Sequence, residues 1–276
     1  GNTGTSSAIT YVIDDAAPSA TVAFATTDAT TNASEVGNVS LILSSVSSDA
    51  ASISVSIDDA SDSNTAPIVV SANKVGSAWV VNDVDLSTLT DGTITATVTV
   101  TDGAGNSGTS TATMTLDTDA PTAPTAAATY RDNVGSVTSD TSTAATTDDT
   151  TPVLNIAANI TDTVKLYVDG VFVASTYNST AGTITPTAAM SVGVHDLRYT
   201  LTDAAGNESV QSAALRVTVD TTGPSVSIST TAGTIRTSDA SVTITGTAEA
   251  GAKIQLQLGG TNIDDKTATA DANGNW

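Results

Sequence analysis

The chain has 276 residues with 29 acidic against 8 basic side chains, a formal net charge of −21. That imbalance excludes a nucleic acid or an anionic membrane surface as partner, since both are bound by lysine and arginine neutralising phosphate. There is no cysteine, so neither disulfides nor thiol chemistry is available, and no apolar run approaches the roughly 20 residues that a membrane-spanning helix needs. Glutamate occurs only at positions 35, 208 and 249, so 29 − 3 leaves 26 acids that are aspartate, the short acid suited to turns and to hard cations.

In chain order, alternation of apolar and polar residues marks a series of short strands. Ile9, Tyr11 and Ile13 alternate first, then Val39–Leu43 and Ile53–Ile57. The cleanest alternation is Gly92–Asp102, where Ile94, Ala96, Val98 and Val100 face one way and threonines the other, followed by Ala112, Met114 and Leu116. Further strands are predicted at Val153–Ile156, Val164–Val168, Gly193–Asp203 with His195, Leu197, Tyr199 and Leu201 in phase, Leu215–Val219, Val242–Thr245 and Ile254–Leu258. Val168-Asp-Gly-Val171 is a two-residue hairpin signal. No window shows helical periodicity. Short strands separated by polar turns predict an all-β fold of tandem immunoglobulin-like sandwiches in an extended array.

The turns repeat. Asp102-Gly-Ala-Gly-Asn106 and Asp203-Ala-Ala-Gly-Asn207 share a D-x-x-G-N pattern ahead of a last strand that ends in aspartate, and Gly1-Asn2 reads as the tail of another. Asp14, Asp117 and Asp220 are 103 residues apart (117 − 14 and 220 − 117), as are Pro18, Pro121 and Pro224. A fixed period with matched punctuation is a tandem array. The expected division is 1–13 as the last strand of a preceding repeat, 14–116 and 117–219 as two whole repeats, and 220–276 as the front of a third. That third repeat is expected to lack both its last strands and a D-x-x-G-N turn of its own, leaving an apolar sheet edge exposed.

The D-x-T-x-x-P boundaries, Thr147-Asp-Asp-Thr-Thr-Pro152, Gly246-Thr-Ala-Glu-Ala-Gly-Ala252, Asp271-Ala-Asn-Gly-Asn-Trp276 and the D-x-A-G-N turns resemble the bacterial Ig-like repeats of giant type I-secreted adhesins of the RTX type. The resemblance implies secretion to the bacterial cell surface and an extended, Ca2+-bound rod of neighbouring repeats. It also implies a role in attachment to host cells or surfaces and in biofilm formation, with the ligand held elsewhere in the parent protein. The first unit lacks the T-D-D-T-T-P and G-T-A motifs.

Strand order gives the calcium expectation a location. The last strand of a sandwich must end at the pole facing the next unit, so the turn before it faces the preceding one. Asp102 and Asn106 are therefore expected beside the linker residues Asp14 and Asp15, and Asp203 and Asn207 beside Asp117 and Asp119. The connection between the second and third strands adds Asp49 to the first pole and Asp162 to the second. Converging carboxylates of this kind suit the six to eight oxygens of calcium, although each aspartate could instead only cap its own turn. The family resemblance suggests a within-unit calcium at Asp132 and Asp149, near Asp148, with a solvated acidic loop as the alternative; Asp220 begins the next linker. Asp58-Asp59-Ala-Ser-Asp62 and Asp264-Asp265 are weaker candidates. Asn82-Asp83-Val-Asp85 lacks the Gly and Glu of a helix-loop-helix calcium loop and reads as a turn before a strand.

Nothing resembles a catalytic centre. The single histidine has no second histidine or cysteine to work with, and carboxylates in recurrent turns with few aromatics make no sugar cleft. Trp79 and Trp276 read as packing residues. Two functions are left: a non-catalytic, calcium-rigidified spacer, or a repeat that itself binds a glycan or protein ligand through exposed loops.

Overall fold

The computed structural model describes residues 3–26, 28–60, 65–135, 137–229, 243–258 and 261–276, of which 258 and 261–265 in backbone only. Asp62 lies outside the described residues, as do the side chains of Asp264 and Asp265. Every regular element among the described residues is a β-strand.

The first unit holds β1 (Thr21–Phe24), β2 (Thr30–Thr31), β3 (Val39–Ser44), β4 (Ala50–Asp59), β5 (Ile68–Ser71), β6 (Asn73–Val75), β7 (Ala78–Val84), β8 (Gly92–Asp102) and β9 (Ser107–Leu116). They form two sheets, ordered β1-β3-β7-β6 and β2-β9-β8-β4-β5. The period-2 pattern of β8 explains its central place. Ile94, Ala96, Val98 and Val100 are each at most 1% exposed and pack on Val55 and Ile57 of β4, and the other face carries threonines. Those small residues form a core of modest volume, completed by Leu41, Leu86, Leu116 and Met114. Asn82 and Asp83 lie within β7, which runs on to Val84, rather than forming a turn before a strand. A register shift along the β3–β7 pair and the positive φ of Asp83 (56°) accommodate them there.

The second unit repeats the arrangement with β10 (Thr129–Asp132), β11 (Ser139–Ser142), β12 (Thr146–Thr147), β13 (Val153–Asn155), β14 (Thr163–Val168), β15 (Val171–Val173), β16 (Ser175–Asn178), β17 (Thr183–Pro186), β18 (Gly193–Thr202) and β19 (Leu215–Val219). Its sheets run β11-β10-β13-β17-β16 and β12-β19-β18-β14-β15. In both units a two-residue strand crosses to the opposite sheet and pairs in parallel with the last strand, Thr31 with Leu116 and Thr147 with Val219. Two residues show no alternation, so this switch is invisible in the sequence. The Asp169-Gly170 hairpin has φ of +53° and +81°, the two left-handed residues that a twisted hairpin requires.

Tyrosines enlarge the second core. Tyr130 is fully buried with its hydroxyl donating to the Ala144 carbonyl at 3.0 Å, and Tyr199 donates to the Thr125 carbonyl at 2.7 Å. Leu201 is only half-buried although it keeps the phase of Leu197 and Tyr199. The cause lies in the segment after the turn. In the first unit β9 begins at once and pairs along all of β8, but in the second β19 starts only at Leu215. The intervening residues lie along β18 through the Ser209 and Ser212 hydroxyls, which accept from the Leu201 and Tyr199 amides. Glu208 leads that segment. Its carboxylate takes Lys165 Nζ, the Tyr167 hydroxyl and the Thr200 hydroxyl, all at 2.6 Å.

In the third region β20 (Val226–Ile228) pairs with β21 (Gly246–Ala248), and β22 (Lys253–Leu258) with β23 (Thr261–Thr269). Of the strand expected at 242–245, residue 242 lies outside the described residues and the rest precedes β21. The Trp276 ring covers Gly246, where a Cβ would come within 2.6 Å of it, so both the tryptophan and the glycine serve packing. Residues 3–20 contain no strand, and Ile9, Tyr11 and Ile13 are exposed. The strand expected there has no partner among the described residues.

Leu166 of β14 is fully buried in the second core. Leu166→Ala should therefore cost that unit about 2–5 kcal/mol in urea unfolding, whereas Val171→Ala on the exposed edge should stay within about 0.5 kcal/mol. Glu208 gives a pH signature. Burial raises its pKa, but the bonds from Lys165, Thr200 and Tyr167 outweigh burial and bring it from 4.5 to about 2. A depressed carboxylate adds stability that is complete above its unfolded value and is lost as pH falls through the folded one. The stability gap between the native chain and Glu208→Gln should be constant above pH 5 and close between pH 4.5 and about 2.

Candidate metal centre

Asp102 ends β8, and its carboxylate turns back on the chain that follows. One oxygen accepts the amides of Ala104 (2.9 Å), Gly105 (2.7 Å) and Asn106 (2.8 Å), while the other accepts Asn106 Nδ2 at 2.8 Å. Burial pushes its pKa up, and these four donors more than reverse that, so the group stays ionised. Gly105 supplies the positive φ (96°) that closes the turn. Asn106 Nδ2 also donates to the Asp14 carbonyl at 3.0 Å, so the turn grips the linker that enters the unit.

At this pole Asp14, Asp49 and Asp102 each present a carboxylate oxygen, all within 4.8 Å of one another. Asp49 comes from the β3–β4 connection, Asp14 from the linker and Asp102 from the β8–β9 turn. Two oxygens bound to one calcium at 2.3–2.6 Å can lie no more than about 5 Å apart, so this spacing fits a single ion. The donors are hard carboxylate oxygens, with amide and carbonyl groups close by, which suits Ca2+ better than a softer transition metal. Asp15 is exposed next to the cluster but not within it.

The second pole has the same turn in a different setting. Asp203 accepts the Asn207 amide (2.8 Å) and side chain (3.1 Å), and Asn207 Nδ2 donates to the Asp117 carbonyl at 2.8 Å. Here the first unit docks directly: the Ala33 amide donates to Asn207 Oδ1 and Asn32 Nδ2 to the Ala205 carbonyl, both at 2.9 Å. A Cβ at Gly206 would come within 3.1 Å of Asn32 Nδ2. Asp117, Asp162 and Asp203 do not reach the close spacing of the first pole; Asp119 is exposed and bonds back to Asp117. Thr118 ties the linker to the first unit through its amide and hydroxyl on Asp91, at 2.9 and 3.0 Å. Asn32 and Ala33 belong to no repeated motif and carried no signal in the sequence, whereas Asp91-Gly92 fits the family pattern without pointing to this contact.

Asp132, Asp148 and Asp220 converge with Glu249 on the wall of a cavity of about 280 Å3. Asp132 accepts the Thr147 hydroxyl at 2.7 Å, and the Asp148 carboxylate occupies the space where a Cβ at Gly135 would sit. Asp220 caps Thr222 at 2.9 Å. Asp149 is 1% exposed; one of its oxygens takes the Thr151 amide at 2.7 Å, and the other is buried without a hydrogen-bond partner. Glu249 is the acid of this group that sequence reasoning did not single out.

The third region does contain a D-x-x-G-N turn, contrary to expectation. Asp271 accepts the amides of Asn273 (2.9 Å) and Asn275 (2.8 Å), with Gly274 at φ +81°. It follows β23 and brings Trp276 to β21, where the Trp276 amide and carbonyl pair with those of Gly246. Its hydrogen bonds cap the turn itself, as those of Asp102 and Asp203 do.

A protein-family comparison matches residues 123–221 to the bacterial Ig-like domain. No curated protein matches the chain. Among solved structures, a Ca2+-stabilized adhesin with which an Antarctic bacterium binds ice is 24% identical at a TM-score of 0.42, covering 95% of this chain and 65% of that one. A 1.5-MDa bacterial ice-binding adhesin is 24% identical at a TM-score of 0.37, with 95% and 87% covered. A tetra-tandem repeat from the extending region of a large adhesion protein is 21% identical at 0.29, with 94% and 65% covered. The chain thus spans about two thirds of the first and third of these. Residues 123–221 are thus similar to the bacterial Ig-like domain, and the first unit has the same kind of two-sheet topology as the second.

Proposed function

We propose that these repeats are a non-catalytic, calcium-rigidified spacer of a bacterial cell-surface adhesin, exported by type I secretion, that carries a distal binding region for host-cell or surface attachment and biofilm formation. The observation that carries the reading is the convergence of Asp14, Asp49 and Asp102 where the linker meets the first unit. The addressed site and the adhesin context rest on the motif resemblance. In this reading Asp14, Asp49 and Asp102 hold Ca2+, with Asn106 fixing the linker and Asp15 alongside. Asp117, Asp119, Asp162, Asp203 and Asn207 form the corresponding pole of the second unit, and Asp132, Asp148, Asp149 and Asp220 a further acidic site.

Physically, the ion converts a liability into a joint. Three carboxylates within 4.8 Å repel one another, and a divalent cation both removes that repulsion and ties the linker to two loops of the sandwich. At the junction between the two whole units, Asn207 contributes fixity of its own by joining the linker, its own turn and the Ala33 amide. A string of units with both kinds of joint would hold its angles and project a distal region away from the cell.

Calcium at about 100 times its dissociation constant should stabilise the first unit by about 2.7 kcal/mol, a rise in Tm of roughly 10 °C or more. Chelation should reverse that rise in the native chain, while in the pair Asp14→Asn and Asp49→Asn, both exposed side chains, the first unit's transition should be the same with and without calcium. An unchanged native Tm would remove the spacer reading and favour binding through exposed loops. A separate expectation concerns Asn207→Ala, which should cost about 1–3 kcal/mol and broaden the distance distribution between spin labels on the two whole units.

A further inference from the structure

His195 lies on β18 with its ring buried, and both ring nitrogens face acceptors. Nδ1 is 2.8 Å from Asp169 Oδ2 in the β14–β15 turn, and Nε2 is 2.8 Å from the Ser191 carbonyl in the loop before β18. A neutral imidazole has one N–H and one lone pair. Only the imidazolium can donate to both partners, so we infer that His195 is a proton-operated clamp holding the 187–192 loop to the β14–β15 turn, and that loss of its proton releases the loop.

The surrounding charges are arranged for this. From the turn, Asp169 faces the ring, its other oxygen fixed by the Asp196 amide at 2.8 Å. From β18 itself, the Asp196 carboxylate is taken up by Arg216 of β19 at 2.7 and 3.1 Å, and Arg198 donates to the Ser212 carbonyl. Residue 217, opposite His195 on β19, is valine, and the 187–192 loop has no ionisable side chain. Burial lowers the proton affinity of the ring, but the Ser191 carbonyl and the Asp169 carboxylate outweigh it and raise the pKa above 6.5.

Deprotonation has a directional outcome. The remaining proton stays on Nδ1, where the carboxylate makes the stronger, charge-assisted bond. The Nε2 lone pair then points at the Ser191 carbonyl oxygen, two acceptors in contact. The carbonyl must withdraw, and with it Met190, whose amide is held by the Thr150 carbonyl at 2.8 Å and whose side chain closes one edge of the core. A raised histidine pKa gives stability that is complete below 6.5 and is lost as pH rises through the folded value. No other side chain type in the chain titrates near neutrality, since there is no cysteine and a single histidine.

The test follows the one imidazole by NMR through pH 5–9 in the full chain, together with hydrogen exchange at the Met190 amide, corrected for the intrinsic pH dependence of exchange. The clamp predicts an imidazole pKa above 6.5 and a loss of Met190 protection at that same pH. Asp169→Asn lets a neutral ring accept at Nδ1 and donate at Nε2, so its Met190 protection should no longer follow pH. A native pKa at or below 6.5, or Met190 protection that stays flat through the titration, overturns the inference. Both readouts come from the native chain, so they stand even if the variant fails to fold.

Discussion

A single carboxylate bound to backbone amides organises each pole of these units. Asp102 and Asp203 close the turn that ends the longest strand and hold it through an asparagine whose amide reaches the linker carbonyl, of Asp14 in one case and Asp117 in the other. The turn's own hydrogen bonds keep the aspartate ionised, so the same group that builds the turn presents negative charge to whatever approaches. The position of the linker and the docking of Asn32 and Ala33 depend on that geometry.

The two poles use this device differently. At the first, exposed acids from the linker and the β3–β4 connection meet Asp102. At the second, polar groups of the preceding unit meet Asn207 and Ala205 directly. The same turn thus meets a neighbouring unit's hydrogen-bonding groups at one pole and a cluster of carboxylates at the other. The units also differ inside, the first filled with small aliphatic residues and the second with Tyr130 and Tyr199, whose hydroxyls reach backbone carbonyls. Different cores under one topology indicate that sheet pairing and the turns, more than core identity, define the repeat.

Much of this was legible in the sequence because strands with one buried face announce themselves. Ile94, Ala96, Val98 and Val100 alternate with threonine, and the structure buries that set. The Asp-Gly hairpin was equally plain, since only a few residue types tolerate positive φ at both positions. What escaped was either too short or too distant. The two-residue strands at Thr30 and Thr146 show no period, Ala33 and Asn207 are far apart in the chain, and the role of Glu208 depends on Lys165, Tyr167 and Thr200 from two other strands. The Asp271 turn was overlooked although its D-x-x-G-N pattern stands in the sequence, and its carboxylate takes the Asn273 and Asn275 amides much as Asp102 takes those of its own turn.

Whether Asp14, Asp49 and Asp102 share a cation decides how the first joint is held. The most direct measurement is anomalous diffraction from crystals of the chain grown with calcium. A shared ion should give a peak among the three side chains, about 2.3–2.6 Å from an oxygen of each. Three carboxylates splayed apart in saturating calcium, with no peak between them, would contradict it.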